Sequence, residues 1–98
     1  MKYNVDNETL TIFLEGQLNS YNSDEIEKEI DEIMKNNSFK KVILDLENLH
    51  YISSAGLRII VTIKIQYDDL TLINTPPQVY EVFDMVGFKN MIKIEKLK

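Results

Sequence analysis

The sequence predicts an α/β domain, a mixed β-sheet flanked by helices in the order β-β-α-β-α-β-α-β. Three observations lead there. Apolar and polar residues alternate at period two near the start of the chain. Two later stretches repeat at the 3.6-residue period of a helix. Between and after them lie short apolar runs, as expected of parallel strands joined by crossover helices. A length of 98 residues suits one domain, so residues 1–98 are read as a single unit.

The elements follow in order. Tyr3 and Val5 alternate with polar neighbours, then Asp6-Asn7 signals a turn. Beyond it Leu10, Ile12 and Leu14 alternate with Thr9, Thr11 and Phe13, so the chain opens with a β-hairpin whose second strand should stop at Gly16. From about Asn22 the period changes. Ile26, Ile30, Ile33 and Met34 fall on one helical face, with Asn22 and Glu25 as a capping pair and Lys35-Asn36-Asn37 as the stop. Asp24 and Glu25 suit the positive end of that helix.

Val42-Ile43-Leu44 reads as a short strand buried on both faces, with Asp45 at its end. The next stretch, Leu57 to Ile65, is dense in β-branched residues, which favour strands. Ser53-Ser54 before it looks like a helix start, however, and parallel strands at Leu44 and Leu70 need a crossover between them. A helix is therefore predicted. Leu70-Thr71-Leu72-Ile73 is the next strand. Pro76 and Pro77 suit the first helical positions, Val79, Val82, Phe83 and Val86 share a face, and Gly87 fits the left-handed cap. Met91 to Ile94 forms the last strand. The expected core is Ile26, Ile30, Ile33, Val42, Leu44, Leu72, Val79, Val82 and Phe83.

Composition narrows the function. Sixteen acidic residues against 11 basic ones give a formal charge of −5, which disfavours nucleic acid and anionic membranes as direct partners. The chain has no cysteine, hence no disulfide, thiol nucleophile or thiolate metal site. His50 is the only histidine, and no serine has a base at motif spacing. With three glycines there is no phosphate-binding loop. The carboxylates from Asp24 to Glu32 read as the wet face of a helix. No metal or cofactor is expected, and an enzyme is the least favoured class. The N-terminus has no signal-peptide core and no run approaches the ~18 apolar residues of a membrane span, so a cytoplasmic location is expected.

One segment, Val42 to Arg58, carries a specific hypothesis: a buried strand at Val42-Ile43-Leu44 ending at Asp45, a connecting loop, then the pair Ser53-Ser54 with Ala55-Gly56-Leu57-Arg58 opening a helix. With Ser53 as the N-cap, its hydroxyl is committed to a first-turn N–H. Ser54 then becomes the first helical residue with its hydroxyl free. A phosphate added there would meet the positive helix end and unfilled N–H groups.

Leu44-Asp45-Leu46, a short spacer and Tyr51-Ile52-Ser53-Ser54-Ala55-Gly56-Leu57-Arg58 resemble the signature of the anti-sigma-factor antagonist (STAS) family. Glu15-Gly16-Gln17-Leu18, Leu72-Ile73-Asn74 through Pro76, and Val86-Gly87-Phe88 resemble its other landmarks. The resemblance implies that Ser54 is the phosphorylation target, with Asp45, Ser53, Ala55, Gly56, Leu57 and Arg58 completing the motif and partner surface. It also implies partner switching. The unmodified protein would bind an anti-sigma factor serine kinase and free a sigma factor, phosphorylation would weaken that binding, and a phosphatase would reset it. The module would be a substrate, not a catalyst.

Asn19 stands where the family usually has Asp, and Ser53 replaces a common Asp. The connection from Gly56 to Leu70 is shorter than usual, and Lys98 leaves no room for a full terminal helix. The alternative reading is a STAS interaction subunit that is not phosphorylated, such as a soluble component of a lipid-transport complex.

Overall fold

A computed structural model describes residues Met1–Lys98 throughout. The elements are β1 (Lys2–Asp6), β2 (Thr9–Leu18), α1 (Ser23–Lys35), β3 (Lys41–Ile52), α2 (Ser54–Gln66), β4 (Leu70–Thr75), α3 (Pro77–Met85), a 3₁₀ turn (Phe88–Asn90) and β5 (Lys93–Lys96). The predicted order holds, and Leu57 to Ile65 is helical despite its β-branched side chains.

The five strands lie in sequential order across one sheet. Only β1 and β2 are antiparallel; β2, β3, β4 and β5 run parallel. Three crossovers thus step across the sheet in the same direction. Right-handed crossovers that all step one way place every helix on the same face. Burial agrees with this. Leu10, Ile12, Val42, Leu44, Leu70 and Leu72 are at most 3% exposed, while Thr11, Phe13, Ile43, Asp45, Thr71 and Ile73, on the alternate face, are only partly covered. The expectation that Val42-Ile43-Leu44 is buried on both faces is corrected accordingly, since Ile43 points to the helix-free side.

The core holds 21 apolar residues. It includes every expected member except Ile26 and Val82, which pack against its edge half-covered. Val86 lies beyond the end of α3 and is exposed, because the chain leaves the helix there through Gly87 at φ +76°. Glycine takes that left-handed conformation without the Cβ clash. Phe83 and Phe88, on either side of the bend, stack with ring centroids 5.4 Å apart. The last strand starts later than predicted because the 3₁₀ turn precedes it, leaving Met91 exposed.

Two further corrections shape the site. Gly16 does not end β2. It sits inside the strand at φ +72°, next to an irregularity in the pairing with β3. In addition, the loop predicted after Asp45 is strand through Ile52. Between the pairs Phe13↔Asp45 and Glu15↔Asn48, β3 uses one more residue than β2, and it does so again between Gly16↔Leu49 and Gln17↔Tyr51. Each extra residue is a bulge that resets which side chains face the core. Leu46, Leu49 and Ile52 are therefore all buried although they are three apart. That spacing hid the strand from a period-two reading.

Candidate functional site

The end of β3 delivers the chain directly into α2. Ser53 is extended (φ −99°, ψ 177°); its N–H donates to the Leu18 carbonyl at 2.9 Å and its own carbonyl accepts from Leu57 N–H at 3.0 Å. The helix start is thus fixed by main-chain bonds against the end of β2. Ser54 is the first helical residue and is exposed.

The capping role expected of the Ser53 hydroxyl is not found. Its Oγ is buried and makes no hydrogen bond, so no side chain caps α2. The N–H groups of Ser54, Ala55 and Gly56 precede the first helical bond and remain without intrahelical acceptors. An unfilled helix N-terminus and an accessible hydroxyl therefore coincide at Ser54.

Gly56 is buried for a steric reason. A Cβ there would lie 2.7 Å from Ile52 Cγ1 and 2.7 Å from Leu18 Cγ, so only glycine lets the first turn of α2 settle on the strand ends. Leu57 turns half-buried toward the core. Arg58 points outward, and its Nη2 donates to Glu27 Oε1 of α1 at 3.4 Å.

Asp45 is not part of this cluster. It sits on the helix-free face, where Oδ1 accepts from Glu47 N–H at 3.1 Å and Oδ2 from Asn74 Nδ2 at 3.1 Å. Ile52 lies seven positions farther along the strand, roughly 20 Å at strand rise. The second bond ties β3 to β4, where Asn74 adopts φ +53°, while the first stays within β3. The motif's carboxylate thus acts on the sheet and the serine on the surface.

The β2–α1 loop borders the site through the Leu18–Ser53 bond. The expected capping pair of Asn22 and Glu25 does not form. A reciprocal box lies three residues earlier instead: Asn22 N–H donates to Asn19 Oδ1 at 3.1 Å, and Asn19 N–H to Asn22 Oδ1 at 2.9 Å. Asn19 Oδ1 also accepts from Tyr21 N–H at 2.9 Å, and Asn22 Nδ2 donates to the Gln17 carbonyl at 2.8 Å. Asn19, where the family usually has Asp, thus supplies the acceptor oxygen that the turn needs.

This held loop presents Tyr21, 98% exposed, and Tyr51 at the end of β3 is half exposed. Tyr21 was not singled out from sequence, and Tyr51 only as part of the motif segment. Their signal was an aromatic ring among polar turn residues at Tyr21, and one at an exposed position beside Ile52 at Tyr51. His50 is exposed as well.

A helix that opens on an exposed serine is the arrangement suggested by the motif, although strand rather than loop leads into it. The model of the STAS domain matches residues 1–97. The chain belongs to the STAS domain family. Among STAS relatives, it is 35% identical over 85 residues to the Bordetella bronchiseptica protein BtrV, designated an anti-sigma factor antagonist; the match covers 83% of this chain and 72% of BtrV. Its fold is similar to that of an anti-sigma factor antagonist from Thermotoga maritima, with a TM-score of 0.87, 20% identity, and coverage of 97% and 85% of the two chains. It also resembles SpoIIAA in its unphosphorylated form (TM-score 0.73, 20% identity, 95% of this chain and 87% of that one). SpoIIAA of Bacillus in its phosphorylated form matches with a TM-score of 0.65 at 19% identity, over 95% and 90% of the chains. At such identities the structural likeness speaks for the STAS fold alone. No helix of the chain is long and apolar enough to cross a membrane.

Proposed function

We propose that this STAS domain is an anti-sigma factor antagonist switched by phosphorylation of Ser54. In the unmodified state it docks through the face around Ser54 on an anti-sigma factor serine kinase in the cytoplasm and frees a sigma factor. The kinase transfers the γ-phosphoryl group of ATP to Ser54 Oγ: a new P–O bond forms, the bond to ADP breaks, and the hydroxyl proton is released. The domain supplies the acceptor and no catalytic group. A phosphatase returns it to the docking form.

The observation that carries this reading is the exposed Ser54 hydroxyl at an uncapped helix N-terminus, on a main chain held by the Leu18–Ser53 and Ser53–Leu57 bonds. Such a site tolerates a phosphate without refolding. Tyr21 on the β2–α1 loop and Tyr51 at the end of β3 offer the large amphipathic side chains that anchor interfaces. The relatives' designations as anti-sigma factor antagonists support the choice of partner class.

Incubation with ATP and a candidate anti-sigma factor kinase, followed by mass spectrometry, tests it. One phosphate should appear on Ser54 and none on the Ser54→Ala protein. A protein that takes up no phosphate from any such kinase, and whose partner binds wild type and Ser54→Asp equally, would favour a constitutive STAS subunit of a larger complex.

A further inference from the structure

Arg58 lies four residues after Ser54, so the two side chains share one face of α2. In the unmodified protein its guanidinium is engaged by Glu27 through a single contact of 3.4 Å. Both partners reach solvent, with side chains 54% and 27% exposed, which makes this a weak, easily exchanged pair. A phosphate on Ser54 would bring nearly two negative charges and three acceptor oxygens to the same helix face. It would also follow the favourable order, with the acidic group N-terminal to the basic one at i, i+4.

We propose that Arg58 is a phosphate clamp: on phosphorylation of Ser54 it leaves Glu27 and pairs with the phosphate in bidentate geometry. This inference rests on the Ser54 reading and adds to it what the modification does to the surface. A planar guanidinium matches two phosphate oxygens, whereas it meets only one carboxylate oxygen of Glu27. The exchange has two consequences. The phosphate is held close to the first turn, and Glu27 is left unpaired on the neighbouring helix. The partner therefore meets two altered points, on α1 and on α2, with the main chain unmoved.

The test uses full-length chain with phosphoserine installed at position 54 during synthesis, so it does not depend on any kinase. Two readouts are followed by NMR: the Arg58 side-chain N–H resonance and the ³¹P titration of the phosphate. In the unmodified protein, Glu27→Gln should shift the Arg58 resonance. In the phosphorylated protein the same substitution should leave that resonance almost unchanged, because the guanidinium has moved. Arg58→Gln should raise the phosphate's second titration midpoint by about half a pH unit, and Arg58→Lys should restore only part of the difference. An Arg58 resonance that still follows Glu27 after phosphorylation, or a midpoint indifferent to Arg58→Gln, overturns the clamp. If the clamp fails on synthetic phosphoprotein while a kinase labels Ser54, the functional reading stands without it. If no kinase labels Ser54, that reading falls first and the clamp loses its role in the cell.

Discussion

Gly56 lies so close to Ile52 that a Cβ on the glycine would stand 2.7 Å from Ile52 Cγ1. The second close neighbour, Leu18 Cγ, belongs to another strand, so both walls are core side chains at most 4% exposed. Overpacking by Gly56→Ala should cost about 1–3 kcal/mol, against up to about 1 kcal/mol returned by alanine's helix propensity, so the domain should be destabilised on balance. Urea unfolding of the two proteins measures the difference. A stabilised variant would mean that the first turn of α2 stands farther from β2 and β3 than described.

Ser53 and Ser54 should separate cleanly in stability. The Ser53 hydroxyl is buried without a partner, so Ser53→Ala removes an unpaid desolvation and should change stability by no more than about 0.5 kcal/mol. A genuine cap would cost about 1 kcal/mol or more on removal. Ser54→Ala should be equally mild, because its side chain is exposed. A large loss at Ser53 in thermal or chemical unfolding would show that its hydroxyl has a hydrogen-bond acceptor or donor in solution.

Phe83 is fully buried and stacks on Phe88 across the bend at Gly87. Phe83→Ala should cost about 3–5 kcal/mol, a large share of a small domain's stability. Ile30→Ala, from the buried face of α1, should cost about 2–5 kcal/mol. Either variant should shift the denaturant midpoint with little change in slope. A loss below about 0.5 kcal/mol would place that residue on the surface.

Docking should respond to charge at Ser54 with the fold intact. A desolvation and repulsion penalty of about 3 kcal/mol corresponds to roughly a hundredfold weaker binding. Ser54→Asp should reproduce part of that loss and Ser54→Ala should bind constitutively. Calorimetric titration of the partner kinase against wild type and both variants reads the effect. Three equal affinities would reduce Ser54 to an ordinary helix-start residue.

Most of the architecture was legible because α1 and α3 declare their faces. Ile30-Ile33-Met34 and Val79-Phe83 repeat at helical spacing, and both faces are buried. Helix α2 is rich in β-branched residues and was recovered from the serine pair at its start and the topological need for a crossover between parallel strands. The second half of β3 was not legible, since bulges convert its inward spacing from two residues to three and imitate a loop. The serine pair was visible as a helix start. The destination of each hydroxyl was not, because whether Ser53 caps or buries its Oγ depends on how closely α2 sits on Leu18 and Ile52. Asn22 was misread for a related reason: it is a good capping residue that was paired with Glu25, and its reciprocal bonding with Asn19 requires the turn itself.

The paired bulges in β3 make the segment from Leu46 to Ser54 a fixed-length ruler. Its inward points, Leu46, Leu49 and Ile52, are graduations that must each meet the core, while Glu47, Asn48, His50 and Tyr51 are exposed. Residue identity on that outer side is free to drift and tune recognition. Length is not: removing or adding a single residue would turn a buried leucine to water and rotate Ser54 away from the surface it now occupies. Variation between partner-specific versions of this module is therefore expected as spelling within the ruler, and as insertions only outside it.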